Sequence, residues 1–176
     1  VLDDSTTPNP QTSYGAQKVC CEYLTTDYTR KGFIDGRGLR LPTISVRPGK
    51  PNKAASSFAS GIIREPLNGV DTVCPVTADM HLLLMSPRQA VECMIWAHDL
   101  GAEAFGQTHV INLPGVTVTV GEMVEVLGKI AGLSATRKIH WEADPAVQRI
   151  IGTWPTRWDA RRAHMLGFKG DHDFES

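Results

Sequence analysis

No stretch of this sequence is apolar for long enough to cross a bilayer, and no signal-peptide pattern is present. A membrane protein is therefore not expected, and a cytoplasmic one is. The four cysteines (Cys20, Cys21, Cys74, Cys93) form no C-x-x-C, and neighbours such as Cys20 and Cys21 on a helix are poorly placed to bridge. They read as buried or inert thiols of a reducing compartment. An excess of one charge is lacking too: 18 Lys and Arg stand against 19 Asp and Glu, a formal net charge of -1. No general polyanion-binding surface is indicated, so nucleic acid is not an expected partner. The six histidines show no H-E-x-x-H or other ligand spacing, and no metal is expected. There is no G-x-G-x-x-G, no G-x-x-G-x-x-G and no P-loop, hence no recognisable phosphate cradle.

What is present is ordinary globular material. At 176 residues, 41% hydrophobic and 21% charged, the chain can make one domain, or one and a half domains of a larger protein. It opens on Val-Leu-Asp-Asp rather than methionine, which suggests a fragment or a processed product. A helix is expected over 13–31, capped by Thr12 or Ser13 and ended by Gly32. At 100° per residue, Ala16, Val19, Cys20 and Tyr23 form its packing stripe. Tyr14, Lys18, Cys21 and Thr25 lie opposite and could line a cleft.

Residues 37–46 are β-like, with Pro42 interrupting them. A flexible extension over 53–58 and a helix over 59–67, stopped by Pro66 and Asn68-Gly69, follow. Two short strands at 72–76 and 81–85 flank a turn. Ser86-Pro87 opens a helix to about Leu100. Strands are expected at 107–113, 116–118 and 139–141, with helices over 119–131, 145–151 and 159–166. The tail from 170 to 176 reads as polar and frayed. Alternating strands and helices make this an α/β chain.

Tyr14 and Lys18 stand out because a spacing of four puts both on one helix face. A positive charge beside a phenol favours phenolate, which in general lowers a tyrosine pKa from its usual ~10 and makes a usable general base. Taken alone, the pair reads more readily as two exposed residues of an amphipathic helix, so context must decide.

Three segments in order give it a context: Pro-Gln-Thr-Ser-Tyr-Gly-Ala-Gln-Lys opening a helix, Leu-Arg-Leu-Pro-Thr after a strand, then Val-Arg-Pro-Gly. This order resembles the extended short-chain dehydrogenase/reductase family, the NAD-dependent epimerase/dehydratases. The Ser-Pro-Arg-Gln-Ala-Val-Glu helix and the Arg-Arg-Ala-His-Met-Leu-Gly-Phe tail resemble that family's C-terminal half. The run Arg-Pro-Gly-Lys-Pro-Asn-Lys-Ala-Ala-Ser-Ser-Phe-Ala-Ser-Gly-Ile-Ile-Arg-Glu-Pro-Leu is similar to the branch containing D-erythronate dehydrogenases, which oxidise a small sugar acid.

The resemblance implies the C-terminal part of a Rossmann-type, doubly wound domain over 1–51. A smaller mixed α/β substrate-binding lobe would follow over 52–176, with 72–113 including strands that return to the Rossmann sheet. It implies NAD as cofactor, Tyr14 as catalytic base or acid, and Lys18 on the nicotinamide-ribose hydroxyls. Leu41, Pro42 and Thr43 would border the nicotinamide. Only thirteen residues precede Tyr14, so the family's Gly-rich turn and catalytic serine or threonine are not expected in this chain. Alone it should then be inactive.

A small sugar-acid substrate needs a carboxylate ligand, for which arginine is well suited. Arg47 and Arg64 are the candidates, with Ser56, Ser57 and Ser60 as hydroxyl donors. The alternatives are a surface Arg64 and serines that merely tolerate a mobile loop. Trp141, Trp154 and Trp158 read as packing residues. A homodimer of the full-length protein is implied, with the Ala16–Val19–Tyr23 stripe as a possible contact. Rival functions are a nucleotide-sugar epimerase or dehydratase of the same family, and a non-catalytic assembly module.

Overall fold

The computed structural model describes residues 2–50, 52 and 54–175. Pro51 and Lys53, which fall at the expected domain boundary and loop extension, lie outside the described residues. Helix α1 (Ser13–Arg30) starts where the Thr12 hydroxyl accepts the Gly15 N–H, and it stops before Gly32, whose φ of 74° favours glycine. Two short strands follow, β1 (Gly38–Arg40) and β2 (Thr43–Ile44). The break between them is at Leu41-Pro42, as proline dictates.

Next come α2 (Ser57–Leu67), β3 (Thr72–Cys74), β4 (His81–Met85) and α3 (Pro87–Asp99). Ser86 caps α3 by accepting the Gln89 N–H, with Pro87 at the first helical position. A 3₁₀ turn leads into β5 (Val110–Asn112) and β6 (Val116–Thr119). Helix α4 (Val120–Ala131) opens on a capping box between Thr119 and Glu122. The chain closes with α5 (Leu133–Thr136), β7 (Ile139–Trp141), α6 (Pro145–Ile151) and α7 (Arg161–Met165).

Parallel pairing dominates. β1 runs parallel to β5, with Gly38 opposite Val110 and Arg40 opposite Asn112. β4 takes β2 parallel on one side and β6 antiparallel on the other, and β3 runs parallel to β7. Parallel neighbours separated by helices make this the α/β architecture of a Rossmann-type fold.

Two cores hold it together. One packs α2, β4, β6 and α4 around Ile62, Val120 and Met123. The other packs α3, β5 and α7 around Phe105, Ile111, Leu113 and Phe168. Removing such side chains from water contributes about 1.5–3 kcal/mol each.

Several expectations are corrected. The strand expected at 72–76 is shorter: β3 ends at Cys74, before Pro75, which has no N–H to pair, and it runs beside β7. Pro66 does not stop α2 but sits in its last turn. The C-terminal segment is tied down rather than frayed. Asp171 accepts the Ser86 N–H at 2.7 Å and its hydroxyl at 2.6 Å, and Phe174 packs against the first core.

Cys20 and Cys21 are exposed, whereas Cys74 and Cys93 are buried, and burial pushes both of those thiols up from their ordinary pKa. The expected packing stripe of α1 is also displaced. Of its four members only Val19 is half-buried, while Gly15, Glu22, Thr25, Thr26 and Thr29 face the rest of the chain. Within this chain α1 meets Arg40 and the turn at Gly36 through polar contacts. Among the described residues, no helix is long and apolar enough to cross a membrane.

Candidate active site

The first turn of α1 presents both members of the Tyr14–Lys18 pair. Tyr14 is 70% exposed, and the Lys18 ammonium lies 5.4 Å from its ring centroid, over the face of the ring. Phenol and ammonium are thus open to a bound molecule at one place. Gly15 lets this turn close on the preceding loop: a Cβ there would meet Pro10 at 2.9 Å.

Tyr14 lines a cleft of about 420 Å³, bounded by the 6–12 loop, by Arg40 and Asn112, and by Thr153, Trp154 and Trp158. Arg40 and Asn112 sit at the C-terminal ends of β1 and β5, where parallel sheets bind ligands. Trp158 packs as expected and donates its indole N–H to the Leu113 carbonyl at 2.7 Å. It and Trp154 are nonetheless also walls of the cleft.

The second group gathers at the loop before α2. Here the Arg47 peptide is gripped from both sides. Its N–H donates to the Ser60 hydroxyl at 3.0 Å, and its carbonyl accepts from the Arg64 guanidinium at 2.7 Å. Arg64 is further paired with Glu65 at 2.5 Å, and its side chain is 14% exposed. Ser60 is 1% exposed, and the Ser57 hydroxyl accepts the Asn52 N–H at 3.1 Å. Arg47 itself reaches only the Ser56 hydroxyl, at 3.5 Å, and has no carboxylate partner among the described residues. Of the two arginines, Arg47 has more donors left for an anion.

Leu41 is exposed between β1 and β2, Pro42 is buried and Thr43 begins β2. None of Leu41, Pro42, Thr43, Arg47, Ser57, Ser60 or Arg64 lines the cleft at Tyr14, so the two groups are not joined in one cavity here. Among the described residues no three His, Cys, Asp or Glu side chains group as metal ligands.

Two residues that motif reading passed over complete the site's frame. Glu22 accepts from Arg40 through two hydrogen bonds, of 2.9 and 2.7 Å. That bonding, with the Glu22 charge, holds the Arg40 guanidinium above its ordinary pKa against the opposing effect of burial. The signal was available: Glu22 follows Lys18 by four residues, and Arg40 is the arginine of Leu-Arg-Leu-Pro-Thr.

A helix-borne tyrosine and lysine beside the strand ends of a parallel α/β fold define a class. The chain is similar to the extended short-chain dehydrogenases/reductases, over a part consistent with their C-terminal half. The structure of a nucleoside-diphosphate-sugar epimerase from Agrobacterium tumefaciens matches 99% of this chain and 51% of its own, with a TM-score of 0.93 at 43% identity.

More particularly, the chain is 53% identical over 175 residues to the D-erythronate dehydrogenase of Cupriavidus necator, covering 99% of this chain and 54% of that protein. It is 49% identical over 173 residues to the Haemophilus influenzae D-erythronate dehydrogenase, covering 98% of this chain and 55% of that one. The chain therefore spans about half the length of the curated relatives it matches. No family model matches it.

Proposed function

We propose that this chain supplies the proton-transfer and substrate-holding side of an NAD-dependent oxidoreductase that oxidises a hydroxyl of a small sugar acid resembling D-erythronate. The observation that carries the reading is the exposed Tyr14 phenol with the Lys18 ammonium over its ring at the mouth of a cleft. The 49–53% identity to two D-erythronate dehydrogenases supports the substrate class.

In this reading Tyr14 takes the proton of the substrate hydroxyl at its phenolic oxygen. Lys18 holds the ribose hydroxyls of the cofactor. Leu41, Pro42 and Thr43 border the nicotinamide. The residues present fit that end of the cofactor, since Tyr14 and Lys18 are accessible together and Leu41 is exposed between two strands. NAD, when bound, accepts the hydride. Arg47 takes the substrate carboxylate, with Ser60 and Arg64 fixing its peptide and Ser57 fixing the loop. Residues 1–51 belong to the cofactor domain and 52–176 mainly to the substrate lobe. The four free thiols support a cytoplasmic protein.

The test follows NADH release with D-erythronate in the catalytically competent protein that contains this chain. Tyr14→Phe is expected to lower kcat at least a hundredfold. Turnover within twofold of the parent would overturn the role of Tyr14. The 176-residue chain alone is expected to give no NAD reduction, and clear turnover would refute that.

A second reading, nucleotide-sugar epimerisation, is favoured by the 43% identity to the Agrobacterium structure. Redox-neutral isomerisation of a nucleotide sugar without net NADH would establish it instead. A homodimer through α1 is supported by Tyr23 and Leu24, 62% and 59% exposed. Tyr23→Glu should then yield a monomer in sedimentation, and an unchanged dimer rules the stripe out.

A further inference from the structure

We propose that Glu65, acting through Arg64, is a positioning residue for Arg47: it holds the Arg64 guanidinium on the Arg47 carbonyl, and so fixes the place from which the Arg47 side chain reaches the substrate carboxylate. The inference rests on the reading of Arg47 as the carboxylate ligand.

The chain leaving β2 is stitched to α2 over three residues. The Ser45 hydroxyl donates to the Ala59 carbonyl at 2.8 Å, and the Arg47 N–H donates to the Ser60 hydroxyl at 3.0 Å. The Arg47 carbonyl accepts from Arg64 Nη1 at 2.7 Å. The same segment is tied to β4, where the Ser45 N–H donates to the Met85 carbonyl at 3.0 Å. Helix α2 is a firm base for these bonds, because Ala59 and Ile62 are buried in the first core.

Two of the ties to α2 come from groups with little freedom. Ala59 offers a backbone carbonyl, and Ser60 a short, fully buried side chain. The third comes from a long side chain with much rotamer freedom to lose. Glu65 removes that freedom. Its Oε1 accepts from Arg64 Nε at 2.9 Å and from Nη2 at 2.5 Å, which leaves Nη1 for the Arg47 carbonyl. Sequence neighbours on a helix do not ordinarily face each other, so helical spacing alone does not produce this pair. One guanidinium serves the Glu65 carboxylate and the Arg47 peptide at once. The two side chains are 14% and 16% exposed, so solvent weakens the pairing little.

The consequence is preorganisation. Both polar groups of the Arg47 backbone are engaged, and its guanidinium, 3.5 Å from the Ser56 hydroxyl, is left to meet an anion. An arginine with a fixed backbone loses less freedom when it binds a carboxylate. That gain belongs to holding the sugar acid rather than to hydride transfer, so its signature lies in KM and not in kcat.

The test is steady-state kinetics with the sugar acid in the catalytically competent protein that contains this chain. Glu65→Ala is expected to raise KM about fivefold, with kcat within twofold of the parent. Glu65→Gln, whose amide oxygen accepts the same two N–H groups, should bring KM back toward the parental value. In an Arg47→Met background Glu65→Ala should add less than twofold, since the side chain it acts through is gone. Should Glu65→Ala fail to fold, Arg64→Met/Glu65→Leu removes both charges together and should show the same rise in KM. A parental KM, an equal fall in kcat, a Glu65→Gln no better than Glu65→Ala, or an additive effect with Arg47→Met overturns the proposal. Hydrogen exchange separates it from the reading beneath it. If Arg47→Met binds the sugar acid normally, the carboxylate reading fails. The Arg47 amide, expected to exchange at least tenfold faster in Glu65→Ala, then still decides whether Glu65 holds the segment.

Discussion

Arg47 and Arg64 carry the same charge and lie in one loop-helix segment, yet their surroundings give them different work. Arg64 is held by Glu65 and by the Arg47 carbonyl, while Arg47 keeps its guanidinium free of any carboxylate among the described residues. Arg47→Met is therefore expected to raise KM for the sugar acid about tenfold or more with kcat less affected, as steady-state kinetics would read. Ser60→Ala should act in the same direction but less, because it removes only the acceptor that holds the Arg47 N–H. An unchanged KM in Arg47→Met would remove this residue from substrate binding. Residue types were visible in the sequence; which arginine had a partner was not, because Glu65 competes through a contact only side-chain packing reveals.

At the scale of the elements, caps were the most legible feature. Ser86-Pro87 opens α3 and Asp144-Pro145 opens α6, each from chemistry local to three or four residues. The Thr119–Glu122 capping box carries a pH dependence. The Glu122 carboxylate is held below its ordinary pKa, first by the Thr119 N–H and then by its hydroxyl. A depressed carboxylate contributes stability above the unfolded value of about 4.3, and that contribution is lost as pH falls through the folded value. The difference in Tm between the parent and Glu122→Ala should be full at pH 7 and shrink below about pH 4 in thermal melts. In α1 the apolar stripe that periodicity marks is, apart from Val19, exposed within this chain, and the contacts the helix makes here are with Arg40 and a glycine turn.

Across the whole molecule, long-range polar ties join segments far apart in sequence. The Arg162–Asp4 pair links α7 to the first loop, and Asp171 caps the start of α3 from near the other end of the chain. Arg162→Met is expected to lower stability by about 3 kcal/mol, since it removes the cation paired with Asp4, whose side chain is 11% exposed and keeps only the Asn112 N–H, and takes a donor from three carbonyls. Urea denaturation measures it, and a loss under 1 kcal/mol would contradict the account.

By itself the sequence determined the α/β class, most helix starts, the break at Pro42 and the Tyr14–Lys18 pair, because each depends on residues within about one turn of each other. Tertiary structure alone decided that β3 joins β7, that Glu22 grips Arg40, and that Tyr14 shares its cleft with Trp154 and Trp158. Those contacts join residues 18 to 144 positions apart, and pairings at such separation leave no periodic trace in the chain.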